Sequence, residues 1–88
     1  MTMRIIAIYE TDTHHTRASR NTIALATTEA QRDKIIKRYL KEYPAEKIPA
    51  DKITEAIGQI QAMGQTQGLD RDWEIDTEEL NVNQIIYD

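Results

Sequence analysis

Met3-Arg4-Ile5-Ile6-Ala7-Ile8-Tyr9 is the stretch on which the fold turns. In an extended chain successive side chains point to opposite faces. Ile5, Ala7 and Tyr9 then point one way, and Ile6 and Ile8 the other. Both faces are apolar, so this strand is expected at the centre of a sheet, covered on both sides. The helices are expected to cover one face, leaving Ile6 and Ile8 to be covered by a C-terminal apolar tail or a second subunit. The run stops at Glu10, too short for a signal-peptide core or a membrane span, so no membrane association is expected.

Working outward, residues 10–21 are polar and show no apolar period. Thr22-Ile23-Ala24-Leu25-Ala26 reads as a second strand. Strand, loop, strand makes a hairpin, and its 12-residue connection is longer than the usual ~2–5 residues. Thr28 followed by Gln31 has the form of a capping box, and Glu29 favours the positive end of a helix. That helix is expected to end near Glu42, because Pro44 restricts Tyr43. Its buried stripe is Ile36, Tyr39, Leu40 and Tyr43, with Ile35 on the flank. Residues 44–50 form a connector carrying Pro44 and Pro49. Asp51 is the expected cap of a second helix that reaches residue 64–66, with Ile53, Ala56, Ile57, Ile60 and Met63 as its stripe. Gly64 or Gly68 is its expected left-handed terminator.

From Asp72 to Glu78 the chain alternates strictly. Trp73, Ile75 and Thr77 face one way, and Asp72, Glu74, Asp76 and Glu78 the other, which predicts a half-buried strand. Leu80 and Val82 extend it, and Ile85-Ile86-Tyr87 is read as a short edge strand or a docking tail. The expected fold is α+β: a small antiparallel or mixed sheet of three to four strands with two helices packed on one face, in the order β-β-α-α-β(-β). With 88 residues the chain is expected to form a single domain over 1–88.

The chain has no cysteine, which removes disulfides, Cys-ligated zinc, iron–sulfur clusters and thiol nucleophiles together. No cofactor is expected, and the composition fits a cytoplasmic protein. The formal net charge of −4 conceals a split. Residues 1–41 hold eight basic and four acidic side chains, whereas residues 42–88 hold three basic and eleven acidic.

Three groups of residues carry the functional expectations. The first is the acidic ladder of Asp72, Glu74, Asp76 and Glu78, a row suited to a basic protein surface. The second is the long loop with Asp12, His14, His15, Arg17, Ser19 and Arg20. Its arginines suit phosphate or carboxylate, and its histidines and carboxylates are of the types that hold a divalent metal. Adjacent histidines on an extended segment point apart, however, so no metal site is assigned. The third is Lys34, Lys37, Arg38 and Lys41, at i, i+3, i+4 and i+7 on one helix face, which suits phosphates. Each group has a plainer reading as solvated surface. Gly64-Gln65-Thr66-Gln67-Gly68 follows a helix and lacks the lysine of a P-loop, so it reads as a pair of turns. None of the common nucleophile, dinucleotide or metalloprotease motifs occurs.

The Tyr9-Glu10-Thr11-Asp12 strand end, the Ala24-Leu25-Ala26-Thr27-Thr28 junction and the Gly64-to-Gly68 turn before an acidic strand together resemble small uncharacterised proteins of bacteriophages, prophages and bacterial mobile elements. The resemblance implies a bacterial or phage-infected cytoplasm and carries no residue role. By analogy with that setting, the expected function is a non-catalytic protein-interaction module, acting on a host protein through the acidic strand and the long loop. A nucleic-acid-binding accessory protein using the basic helix stripe is the alternative, and a metal-dependent or other enzyme using the His14/His15 loop is the second. A protein partner and a homodimer are the expected associations.

Overall fold

The apolar strand does lie at the centre. In a computed structural model, which describes residues 4–44, 47–70 and 72–81, β1 (Arg4–Thr11) runs between β2 (Asn21–Ala26) and β3 (Glu74–Asn81). It is antiparallel to both, giving the order β2-β1-β3. Two helices, α1 (Glu29–Glu42) and α2 (Ala50–Met63), separate β2 from β3 in sequence. The architecture is α+β, with one open sheet and the order β-β-α-α-β.

Register decides which residues share a face. Tyr9 lies opposite Asp76 and Thr22, Ala7 opposite Glu78 and Leu25, and Ile5 opposite Leu80. Ile8 lies opposite Thr77 and Ala24, and Ile6 opposite Glu79 and Ala26. The register shifts between Ile8 and Tyr9, so Ile23 is an extra residue on β2, a β-bulge. Ile6, Ile8, Ala26 and Ile75 form one core with Ile36 and Leu40 of α1 and Ile53, Ala56 and Ile60 of α2. Burying each of these large side chains contributes about 1.5–3 kcal/mol. The helices therefore cover Ile6 and Ile8 themselves, which corrects the expectation that a tail or second subunit must do so. The face left open is that of Ile5, Ala7 and Tyr9. Ile85-Ile86-Tyr87 and Val82 lie outside the described residues.

The helix ends follow local chemistry. The Thr28 hydroxyl accepts the Gln31 N–H at 3.1 Å, and the Gln31 side-chain oxygen accepts the Thr27 N–H at 2.8 Å. This satisfies two backbone donors, in the manner of a capping box moved back by one residue. The second helix starts differently from expectation. Pro49 occupies its N-cap, and Asp51 sits inside the first turn with its carboxylate accepting from the Lys52 N–H. The proline ring holds φ at −59°, the backbone enters extended at ψ 148°, and there is no N–H to satisfy. At the other end Gly64 adopts φ +78° and donates to Ile60 O, the left-handed terminator anticipated there.

Two stripe residues stay outside the core. Tyr43 is 69% exposed at the C-cap of α1 and stacks on Tyr39 at 5.0 Å between ring centroids. Met63, the last residue of α2, is 55% exposed. Arg32, by contrast, is buried, its Nε donating to Asp33 at 2.9 Å.

The turn after α2 is fixed by one carboxylate. Glu74 is buried at the start of β3, and its Oε1 accepts the Thr66 hydroxyl at 2.7 Å and the Leu69 N–H at 3.2 Å. Its Oε2 accepts the Gly68 N–H at 2.8 Å. Thr66, fully buried, accepts the Ile75 N–H on its hydroxyl at 2.9 Å and donates its own N–H to Ile75 O. Residues 64–69 are thereby fastened to β3.

Candidate interaction surface

The long loop is ordered by its own side chains. The Asp12 carboxylate accepts the N–H groups of His14 and Thr16, each at 3.1 Å, and the Thr16 hydroxyl at 2.9 Å. This is the Asx-turn chemistry that lets aspartate reverse a chain. Three donors favour the ionised form, and the backbone N–H of Thr16 is the largest influence holding the Asp12 carboxyl below its ordinary range. Ser19 closes the other side, its hydroxyl accepting the Asp12 N–H at 3.0 Å and donating to Thr16 O at 2.8 Å. A 3-10 turn spans Arg17–Ser19. His15 takes φ +57°, a left-handed conformation uncommon for a side chain of its size.

That fold lays the loop on the open face of the sheet. His15 Nδ1 donates to the Asp76 carboxylate. A carboxylate only accepts, so Nδ1 carries the hydrogen in this contact. Arg20 bonds Glu78 at 3.1 Å and stands 3.8 Å from Asp76. Its guanidinium lies 4.6 Å above the Tyr9 ring centroid, a cation–π geometry. The Tyr9 hydroxyl donates to Glu78 at 3.1 Å, and Arg17 stands 4.0 Å from the same carboxylate. Burial is the first cause, and the Glu78 bond the second, that raises the Tyr9 phenol above its ordinary value. The Asp76 side chain is 5% exposed and that of Arg20 19%. The Arg20 Nε is buried without a partner among the described residues.

The loop and the acidic strand, which the sequence offers as two surfaces, are therefore one. The acids are also not an open row. Asp72 precedes the strand and is exposed, Glu74 is buried in the 66–69 turn, and Asp76 and Glu78 are covered by loop cations. His14 is exposed while His15 turns inward, so the two imidazoles diverge. Among the described residues no group of three or more His, Asp or Glu is placed to hold a metal ion. Beside the loop, the open face keeps an uncovered apolar strip. Leu25 is 58% exposed and Leu80 37%; half-buried Ile5 lies opposite Leu80, and Leu25 lies opposite Ala7, the next residue of β1 on the same face.

On the other side of the domain, Lys34, Lys37, Arg38 and Lys41 are all exposed on α1. Arg38 pairs with Glu42 at 3.2 Å, while the three lysines form no ion pair among the described residues. A groove between α1, α2 and the sheet is lined by Arg4, Glu29, Arg32 and Glu79. Its charges are matched internally, Arg4 by Glu29 and Glu79, and Arg32 by Asp33.

Sequence reasoning missed the Arg20–Tyr9 stack and the Glu74 turn. Arg20 had a signal. It lies two residues before Thr22, which is opposite Tyr9, and period-two alternation puts Arg20 over the same face. Among the described residues no helix is long and apolar enough to cross a membrane. No protein-family model, curated protein or solved structure matches this chain.

Proposed function

We propose that this chain is a small non-catalytic protein-interaction module that binds a protein partner through the open face of its sheet. The observation that carries this reading is the juxtaposition on that face of an apolar strip (Ile5, Leu25, Leu80) with a polar loop held by Asp76 and Glu78. Protein interfaces combine an apolar centre with a polar, hydrogen-bonding rim, and this face supplies both. The loop offers His14 and Arg17 to a partner, while its inner residues His15 and Arg20 hold it in place. The His15–Asp76 pair has the form of a catalytic dyad, but no Ser or Thr hydroxyl bonds to the His15 ring among the described residues. The resemblance to phage and prophage proteins supports a bacterial or infected-cell cytoplasm and a host protein as the target, modulated or inhibited by binding.

Affinity capture from bacterial lysate with mass spectrometry tests the reading. A partner held by the wild type is expected to be lost with Arg17→Glu plus Leu80→Lys, and kept with Lys34→Glu plus Lys37→Glu. The same partner on all three proteins would remove the open face from the account.

The three lysines on the outer face of α1, without an ion pair among the described residues, support a second reading, contact with nucleic-acid phosphates through Lys34, Lys37, Arg38 and Lys41. It requires a mobility shift that weakens steeply with salt. No shift at low salt refutes it.

A further inference from the structure

The two outer strands differ in how their free edges are protected. β3 carries Glu74, Asp76, Glu78 and Glu79, and residues 64–66 run along its outer edge. Thr66 N–H donates to Ile75 O at 2.9 Å, and Thr77 N–H to Gly64 O at 2.8 Å. β2 is Asn21-Thr22-Ile23-Ala24-Leu25-Ala26, with no charged residue and no proline. Among the described residues it pairs with β1 alone. In a ladder, alternate residues turn their N–H and C=O groups away from the partner strand, so the outer side of β2 presents backbone donors and acceptors. Strands that stay at an edge usually carry lysine, proline, a bulge or a covering segment; among the described residues β2 has the Ile23 bulge but no lysine, proline or covering segment.

We propose that two copies of this chain join along β2, antiparallel about a two-fold axis, to form one continuous six-stranded sheet. The edge is its own complement. It is uncharged, so no like charges meet, whereas β3 against β3 would oppose carboxylates. The register is also set by the strand. With Ile23 as the bulge residue, Thr22 lies opposite Tyr9 and Leu25 opposite Ala7, so both are on the open face, and both are exposed. An antiparallel pairing must match like faces. Thr22 opposite Leu25 of the partner subunit does so twice, once on each side of the axis. A strand from an unrelated protein could use the same backbone groups, but the neutral, self-matching sequence favours a second copy. The inference shares Leu25 with the proposed binding face but concerns the edge of β2; the loop and Leu80 are not part of it, so loss of the dimer and loss of the protein partner are read by different variants.

The test is sedimentation and light scattering over a concentration series, with circular dichroism as the check on folding. The wild type is expected to be a dimer that dissociates on dilution. Thr22→Lys with Leu25→Lys opposes cations at two places and is expected to weaken association by roughly tenfold or more. Both positions are exposed, so the dichroism spectrum is expected to stay that of the wild type. Thr22→Lys with Leu25→Glu makes the same number of changes but places opposite charges across the axis, and is expected to restore the dimer. A wild type that stays monomeric at the highest concentration reached overturns the proposal. So does a double-lysine variant that stays dimeric, or a lysine–glutamate variant no better than the double-lysine one.

Discussion

Replacing Glu74 by glutamine changes one atom and is expected to destabilise the protein by about 2–4 kcal/mol. Both carboxylate oxygens act as acceptors, Oε1 for the Thr66 hydroxyl and the Leu69 N–H, and Oε2 for the Gly68 N–H. A glutamine can keep its oxygen on the first two donors. Its amide nitrogen then faces the Gly68 N–H, donor against donor. An unsatisfied buried donor costs about 1–3 kcal/mol, and the two remaining bonds each lose part of the strength of a charged acceptor. Neutralising a buried carboxylate recovers some desolvation energy. With three donors arranged around it, the lost hydrogen bonding outweighs that recovery. The penalty is a large part of the roughly 5–10 kcal/mol expected of a domain this size. Urea unfolding followed by fluorescence reads it directly, because Trp73, the one tryptophan of the chain, adjoins Glu74. With a slope of about 1–3 kcal/mol per molar, the midpoint should fall by roughly 1–3 M. A Glu74→Gln midpoint equal to that of the wild type would refute the reasoning. Thr66→Ser, which keeps the hydroxyl, is expected to cost much less than Thr66→Val.

Four further outcomes are expected. Gly64→Ala should cost about 1–2 kcal/mol in the same assay, because the residue holds φ +78° and a Cβ would meet Thr77 Oγ1 at 3.3 Å. His15→Ala should speed amide exchange over residues 12–20 while leaving α1 and α2 protected, since it removes one of the two groups tying the loop to Asp76. Asp12 should titrate below an ordinary aspartate by carboxyl NMR. Its folded value is depressed, so its contribution is present above the unfolded value and is lost as pH falls through the folded one. Tyr39, part-buried and donating to Glu10, should ionise well above an ordinary phenol by ultraviolet titration, and Tyr39→Phe should remove that late-titrating step.

What could be read from the sequence was local. The alternation of Ile5 to Tyr9 sets the centre of the sheet, and that of Glu74 to Glu78 sets β3, because period two is a property of neighbouring residues. Thr28 with Gln31, and Gly64, mark helix ends for the same reason. Tyr43 misled because it completes the α1 stripe in spacing but falls one residue past the helix. The path of the loop was hidden because its anchors are distant: His15 meets Asp76 across 61 residues, and Arg20 meets Glu78 across 58. Asp12 announces a turn, but nothing nearby in sequence says where the turned segment lies. The acids of β3 looked free for the same reason, since the cations that cover them come from the opposite end of the chain.

The central strand has one partner close in sequence and one at the far end of the chain, and that arrangement has a kinetic consequence. β1 and β2 can meet early, as a hairpin. Pairing with β3 must close a loop through both helices, and the entropy of that closure precedes any return from the contacts. The loop over residues 12–20 can turn on its own hydrogen bonds but cannot dock before then, because Asp76 and Glu78 arrive with the last strand. The open face is thus expected to be completed late in folding, and a chain stalled before β3 would present neither the docked loop nor the paired acids. Recognition through that face would select completed molecules over partial ones, without any separate device for telling them apart.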